Sequence, residues 1–211
     1  MDNQQQTGSF VDQHLWQTAE RLVSTDPNLR ESALNQLKGI DGFYRSPLVA
    51  YLLVSRISEP EIEIRFHFIQ LLGSLVDYDA PGQHLSDKAL GIAKGALDQM
   101  DKFQLTRLLE VSDSYLAAES AVKSILKLSS YAGSVLSGIV NDWKLPVSIR
   151  QQAVFYCGEG GYLNSKPTLQ NLIRRVEKTR NGSGGRSERK KSREDEFLYP
   201  FVISALEKLT P

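Results

Sequence analysis

From Phe10 onward, apolar residues return every three or four positions with polar residues between them. That spacing is the period of an α-helix with one buried face. Phe10, Val11, Leu15, Ala19, Leu22 and Val23 form one stripe, while Asp12, Gln13, Glu20 and Arg21 fall elsewhere on the wheel, which predicts a helix over 9–23. Alternation with a period of two, the mark of a half-buried strand, is nearly absent. Asn181-Gly182 lies in a polar stretch rather than between two apolar runs, so it does not mark a hairpin. Proline punctuates the pattern at Asp26-Pro27, Ser46-Pro47, Glu59-Pro60, Leu145-Pro146 and Lys166-Pro167. At a first helical position its φ is already set, and the N–H it lacks would have no partner there. Further helices are predicted over 27–40, 47–57, 60–77, 85–99, 102–112, 115–128, 131–142, 146–158, 167–179 and 195–209. Short connections between them favour antiparallel neighbours.

One segment breaks the pattern. Residues 180–193 contain no apolar side chain and three glycines. Such a stretch buries nothing to offset its ordering entropy, so a mobile basic loop is expected over 180–194. Beyond it, Phe197, Leu198, Phe201, Val202, Ala205, Leu206 and Leu209 return at helical spacing, which makes the loop an insertion before a last helix.

The chain also repeats itself. Leu29-Arg30 is followed by Ala33-Leu34 and Leu37; Ile64-Arg65 by Phe68-Ile69 and Leu72; Ile149-Arg150 by Ala153-Val154 and Cys157. Each copy reads apolar-Arg, two residues, two apolar, two residues, apolar. Phe201–Leu209 keeps the second half of this pattern without the arginine. Repeats of this length that cannot bury their own apolar stripe stack on their neighbours.

On these residues the chain resembles the HEAT-repeat family of armadillo-type α-solenoids, over about residues 24–211, with 100–130 the weakest stretch. The resemblance implies an all-α fold: one domain over 1–211, an α-solenoid of four to five stacked antiparallel helix pairs. It also implies that Arg30, Arg65 and Arg150 join a ladder of hydrogen bonds between repeats; three surface arginines near helix starts is the alternative. In the family the second helix of each pair lines the concave surface. On this chain that directs Glu31, Ser32, Asn35, Phe66, His67, Gln70, Gln151, Gln152 and Phe155 outward. The helix over 60–77 is apolar nearly all round, so either other helices cover its second side or a partner does.

Charge refines the picture. The 25 basic and 25 acidic residues cancel, but unevenly. Residues 1–173 carry 15 and 19, and residues 174–193 carry 9 and 2, a net charge of +7. The acidic body argues against a broad nucleic-acid groove. The basic segment, with Arg186, Arg189, Lys190, Lys191 and Arg193, has the composition of a contact for nucleic acid, an acidic protein or lipid headgroups; a solvated linker is the other reading.

No catalytic constellation is visible. His14, His67 and His84 are scattered, and none pairs with carboxylate or thiolate at metal-ligand spacing. Cys157 stands at an apolar repeat position, where a small buried hydrophobe is expected. Gly182–Gly185 lacks the Gly-Lys-Ser/Thr ending of a phosphate loop. Glu59, Glu61 and Glu63 cluster at a helix start, where they suit the dipole. No catalytic, cofactor or metal site is therefore assigned. A single cysteine, no run of about 18 apolar residues and no basic-then-apolar N-terminus place the expectation in the cytoplasm.

The expected function is a non-enzymatic scaffold that binds another protein through its curved helical surface, with Phe66, His67, Gln70, Gln152 and Phe155 as contacts. The alternatives are a regulatory module docking on an anionic partner through the basic loop, and a divergent HEAT-like enzyme of the DNA-glycosylase or bilin-lyase type. The negative body and the separation of Trp16 from Trp143 weigh against the enzyme.

Overall fold

Proline and short polar side chains start the helices where the periodicity places them. Pro27 opens its helix behind Asp26, whose carboxylate accepts from the Asn28 N–H at 2.9 Å. Pro47 does the same behind Ser46. Asp101 and Gln104 form a reciprocal capping box. In the computed structural model, which describes residues 3–181 and 186–210 and the side chains of 13–181 and 194–210, the chain is all-helical. The α-helices are α1 (Asn3–Leu22), α2 (Pro27–Lys38), α3 (Pro47–Ser55), α4 (Ile62–Val76), α5 (Asp87–Leu97), α6 (Lys102–Ser114), α7 (Glu119–Leu128), α8 (Ala132–Val140), α9 (Val147–Glu159), α10 (Lys166–Arg180) and α11 (Arg186–Lys208). No strand occurs among the described residues.

Two predicted boundaries move. The first helix starts at Asn3 rather than near 9, and Val23, expected on its buried stripe, is exposed. The last starts at Arg186 rather than near 195. The expected basic loop over 180–194 therefore has a helical backbone from Arg186 onward; residues 182–185 lie outside the described residues, as do the side chains of 186–193. A run rich in Lys, Arg and Glu has strong intrinsic helix propensity even with no apolar face, and a following amphipathic helix supplies the nucleus.

The expected single domain over 1–211 divides into two compact units. The first comprises residues 1–97 and 120–128. In it α1 packs on α2, α1 also meets α3, and α2 meets α4. Two helix pairs thus lie first on first and second on second. Gly73 on α4 allows close approach to α7: a Cβ there would stand 2.4 Å from the Ala121 Cβ. Leu34, Leu37, Leu53, Phe68, Ile69 and Leu72 are fully buried in this unit.

The second unit comprises residues 98–119 and 129–211. Here α8 packs on α9 and α10 on α11, while α8 meets α10 and α9 meets α11. The arrangement of the two pairs repeats that of the first unit, and α6 lies against α8 and α9. Gly158 on α9 is the counterpart of Gly73. A Cβ there would stand 2.8 Å from the Ala205 Cα on α11. Another correspondence was not anticipated. Gly42 and Gly161, with φ of +72° and +68°, introduce similar single-turn 3-10 segments just ahead of α3 and α10. A left-handed φ suits glycine at that bend.

Candidate interaction surface

The repeat arginines are interior residues: Arg30, Arg65 and Arg150 are 4%, 1% and 0% exposed. That excludes the surface alternative for all three. A buried guanidinium needs several acceptors. Arg30 Nη1 donates to the carbonyls of Ser24 and Thr25, at 2.9 and 3.0 Å, in the turn that leads into its own helix. Its Nη2 donates to Glu59 and, at 2.7 Å, to Glu61, both ahead of α4. Burial pushes the Glu59 carboxyl above its ordinary range, against the pull of the Arg30 hydrogen bond. Arg30 is held more basic by its hydrogen bond to Glu59.

Arg150 follows the same plan. Its Nε donates backward to the Val140 carbonyl at 2.9 Å. Its Nη2 donates forward to Asp195 Oδ1 on α11 at 2.7 Å. The other Asp195 oxygen accepts from Arg175 Nε at 3.1 Å. The Trp143 ring lies under the Arg150 guanidinium, 4.2 Å from its centroid. Burial raises the Asp195 carboxyl, and the two arginines oppose it. Arg30 thus ties the turn before α2 to the turn that opens α4, and Arg150 ties the end of α8 to α11.

With the arginines turned inward, the opposite faces of the same helices point to solvent. Glu31, Ser32 and Asn35 on α2 are exposed. With Asn28 and Gln36 they line an open groove of about 540 Å³. On α4, His67 is exposed, and Phe66 and Gln70 are half-buried. The Phe66 and His67 rings are 5.2 Å apart. On α9, Gln151, Gln152 and Phe155 are half-buried. Gln152 Oε1 accepts from Ser112 Oγ at 3.4 Å, and Lys208 lies over the Phe155 ring at 5.5 Å. Phe66, His67 and Gln70 belong to the first unit, and Gln152 and Phe155 to the second. Arg186, Arg189, Lys190, Lys191 and Arg193 lie on the helical backbone of α11, their side chains outside the described residues.

Sequence reasoning missed the partners. Glu59 and Glu61 read as acids that suit a helix dipole, yet both bind Arg30, and Glu59 is buried. Asp195 and Trp143 gave no sign of meeting Arg150. Phe197 and Phe201 read as part of a buried stripe. They are instead 69% and 38% exposed, while Leu198, Val202, Ala205 and Leu209 fill the core. The width of that seven-residue stripe was the available signal, since a helix packed on one side buries a narrower one.

Cys157 is fully buried, and burial pushes its thiol up to about 12. No group of His, Cys, Asp and Glu among the described residues is arranged to hold a metal ion. No helix among them is long and apolar enough to cross a membrane. No protein-family model matches the chain, and no curated protein matches its sequence.

Proposed function

We propose that the protein is a non-enzymatic scaffold of the HEAT-like α-solenoid kind, which binds another protein through the outward faces of its second helices. The observation that carries this reading is the shared plan of Arg30 and Arg150. Each spends its hydrogen-bonding capacity inside, on stacking one helix pair against the next. Stacked pairs held in that way leave a rigid, solvent-facing row of side chains on each second helix, and such a row suits recognition of a macromolecule. Among the contacts, Phe66 and Phe155 supply apolar anchors, while His67, Gln70 and Gln152 supply hydrogen-bonding groups around them.

The test is to replace Phe66 and Phe155 by serine, singly and together, in the full chain. Both side chains are half-buried, so the variants are expected to remain folded by circular dichroism. Proteins retained by the wild-type chain from a native extract are expected to be lost by the double variant. Unfolding of both single variants assigns these residues to the core and removes the proposed surface. Undiminished capture by folded variants removes it as well.

A further inference from the structure

The connector between α2 and α3 holds the chain's single Asp-Gly dipeptide, Asp41-Gly42. Asp41 is exposed, and its carboxyl has no hydrogen-bond or ion-pair partner among the described residues. The Gly42 N–H is likewise unengaged among them, whereas Ile40 donates to the Leu37 carbonyl at 3.1 Å and Phe43 to the Ile40 carbonyl at 3.4 Å. The second of these bonds closes a four-residue turn with Asp41 and Gly42 at its corners. Gly42 has φ of +72° and ψ of +7°, and no other kind of residue has a positive φ among the described ones. That is the second corner of a type II turn. A type I turn has the same ends and differs by rotation of one peptide plane, here the plane that joins Asp41 to Gly42. Glycine at the second corner accepts the φ of both forms. Rotation of that plane carries the Gly42 nitrogen past the Asp41 carboxyl, with no hydrogen bond of its own to break and no β-carbon to shield it.

The second unit offers a contrast. Its equivalent connector reads Gly160-Gly161, and a Cβ at 160 would stand 2.2 Å from the Tyr162 ring. Position 160 has no room for a side chain, while position 41 carries an exposed carboxyl.

We propose that Asp41 is a site of spontaneous isoaspartate formation, which resets the connector between α2 and α3 as the protein ages. The Gly42 nitrogen attacks Asp41 Cγ in the carboxylic acid form. The N–Cγ bond forms, the Cγ–OH bond breaks, and the hydroxyl leaves with the amide proton as water. The five-membered succinimide then takes up one water. Addition at Cγ restores aspartate. Addition at the Asp41 main-chain carbonyl carbon breaks its bond to the Gly42 nitrogen and leaves isoaspartate. Water is the sole co-reactant.

In isoaspartate the main chain runs through Cβ and Cγ and is one methylene longer. The residues just beyond it are closely held. Phe43 is buried, and Arg45 donates to the Gly42 carbonyl at 2.9 Å. The Tyr44 and Arg45 carbonyls accept from the Ser86 N–H and Oγ, both at 3.3 Å, just ahead of α5. One added methylene therefore bears on the seating of both α3 and α5, which pack on each other.

The experiment incubates the full folded chain in heavy-oxygen water at mildly acidic pH and digests it with trypsin, which releases residues 39–45 between Lys38 and Ser46. A second peptide of the same composition is expected, eluting apart, carrying one heavy oxygen and accepting a methyl group from a protein-isoaspartate methyltransferase. It is expected to be lost in Asp41→Glu, whose imide would need a six-membered ring, and to form faster in Asp41→Asn, which releases ammonia in place of water. The isomerised chain, separated by ion exchange, is expected to melt at a lower temperature than the unmodified chain. Conversion of a synthetic 39–45 peptide with none in the folded chain overturns the proposal, since the fold then protects the site. Conversion in the chain only when urea is added overturns it in the same way. A modified chain with an unchanged melting temperature overturns the effect on the connector.

Discussion

Arg30 in the first unit and Arg150 in the second hold the same position in their repeats and donate in the same two directions, yet they close different loops. Arg30 reaches carboxylates 29 and 31 residues away, in the turn that opens the adjacent second helix. One of them, Glu61, is nearly half exposed. Arg56 lies 3.7 Å from the other, so the cluster retains a cation when Arg30 is removed. Arg150 reaches Asp195, 45 residues away inside α11, and that carboxylate is as buried as the arginine. Glu59 is fully buried as well, so each node holds one buried carboxylate with a second cation beside it, Arg56 at 3.7 Å in one unit and Arg175 at 3.1 Å in the other. The difference lies in where the buried partner sits, in a turn between helices for Arg30 and inside a helix for Arg150.

The largest effects are expected at the two buried pairs. Arg150→Ala leaves Asp195 buried beside Arg175 alone and should destabilise the protein by about 3–5 kcal/mol in urea unfolding. Arg30→Ala strips the equally buried Glu59 of its nearest cation and should cost a similar amount, and a negligible loss at either site would break the comparison. Asp195→Leu combined with Arg150→Met removes both charges together. It should recover most of the loss, because two buried charges then no longer need each other. Arg175 is 40% exposed and can turn to solvent.

The close helix approaches rank next. Gly73→Ala and Gly158→Ala should each cost about 1–3 kcal/mol, since the added methyl meets a neighbouring helix. The cost should be larger at Gly73, where the clash is tighter. Gly95→Ala is the control, because nothing lies within 4 Å of a Cβ there. It should stabilise α5 by about 0.5–1 kcal/mol.

Cys157 sharpens the comparison from the second unit alone. The folded thiol keeps its proton to about 12, whereas an unfolded one releases it near 8.5. Between those values the unfolded chain binds fewer protons, so stability should fall as pH rises through that window. At pH 8 the native thiol should resist a maleimide or disulfide reagent and react only on unfolding. Arg150→Ala should then accelerate its labelling more than Arg30→Ala does.

The helices were legible because most carry their own period and several carry their own start signal. Asp26, Ser46 and Asp101 act within three residues of themselves. The repeat was legible because its apolar spacing is local too. The first turns of α11 were not, since a polar run with no stripe looks like a loop until the helix it extends is in place. Of the positions that the repeat register directs outward, those on α2 and His67 are exposed, while Phe66, Gln70, Gln151, Gln152 and Phe155 are half-buried. The exposure of Phe197 and Phe201 was not legible, because apolar spacing alone cannot say which flank of a wide stripe a neighbour covers.

Taken alone, the order of residues determined an all-helical chain, the turns that divide it, and three arginines at one recurrent position. Tertiary packing decided that those arginines lie inside, that Glu59 and Asp195 answer two of them, and that α11 continues into the basic segment. Helix formation depends on neighbours three and four residues apart. A buried charge depends on whichever distant carboxylate the fold brings within hydrogen-bonding reach, and that distance is not written into any local window of the chain.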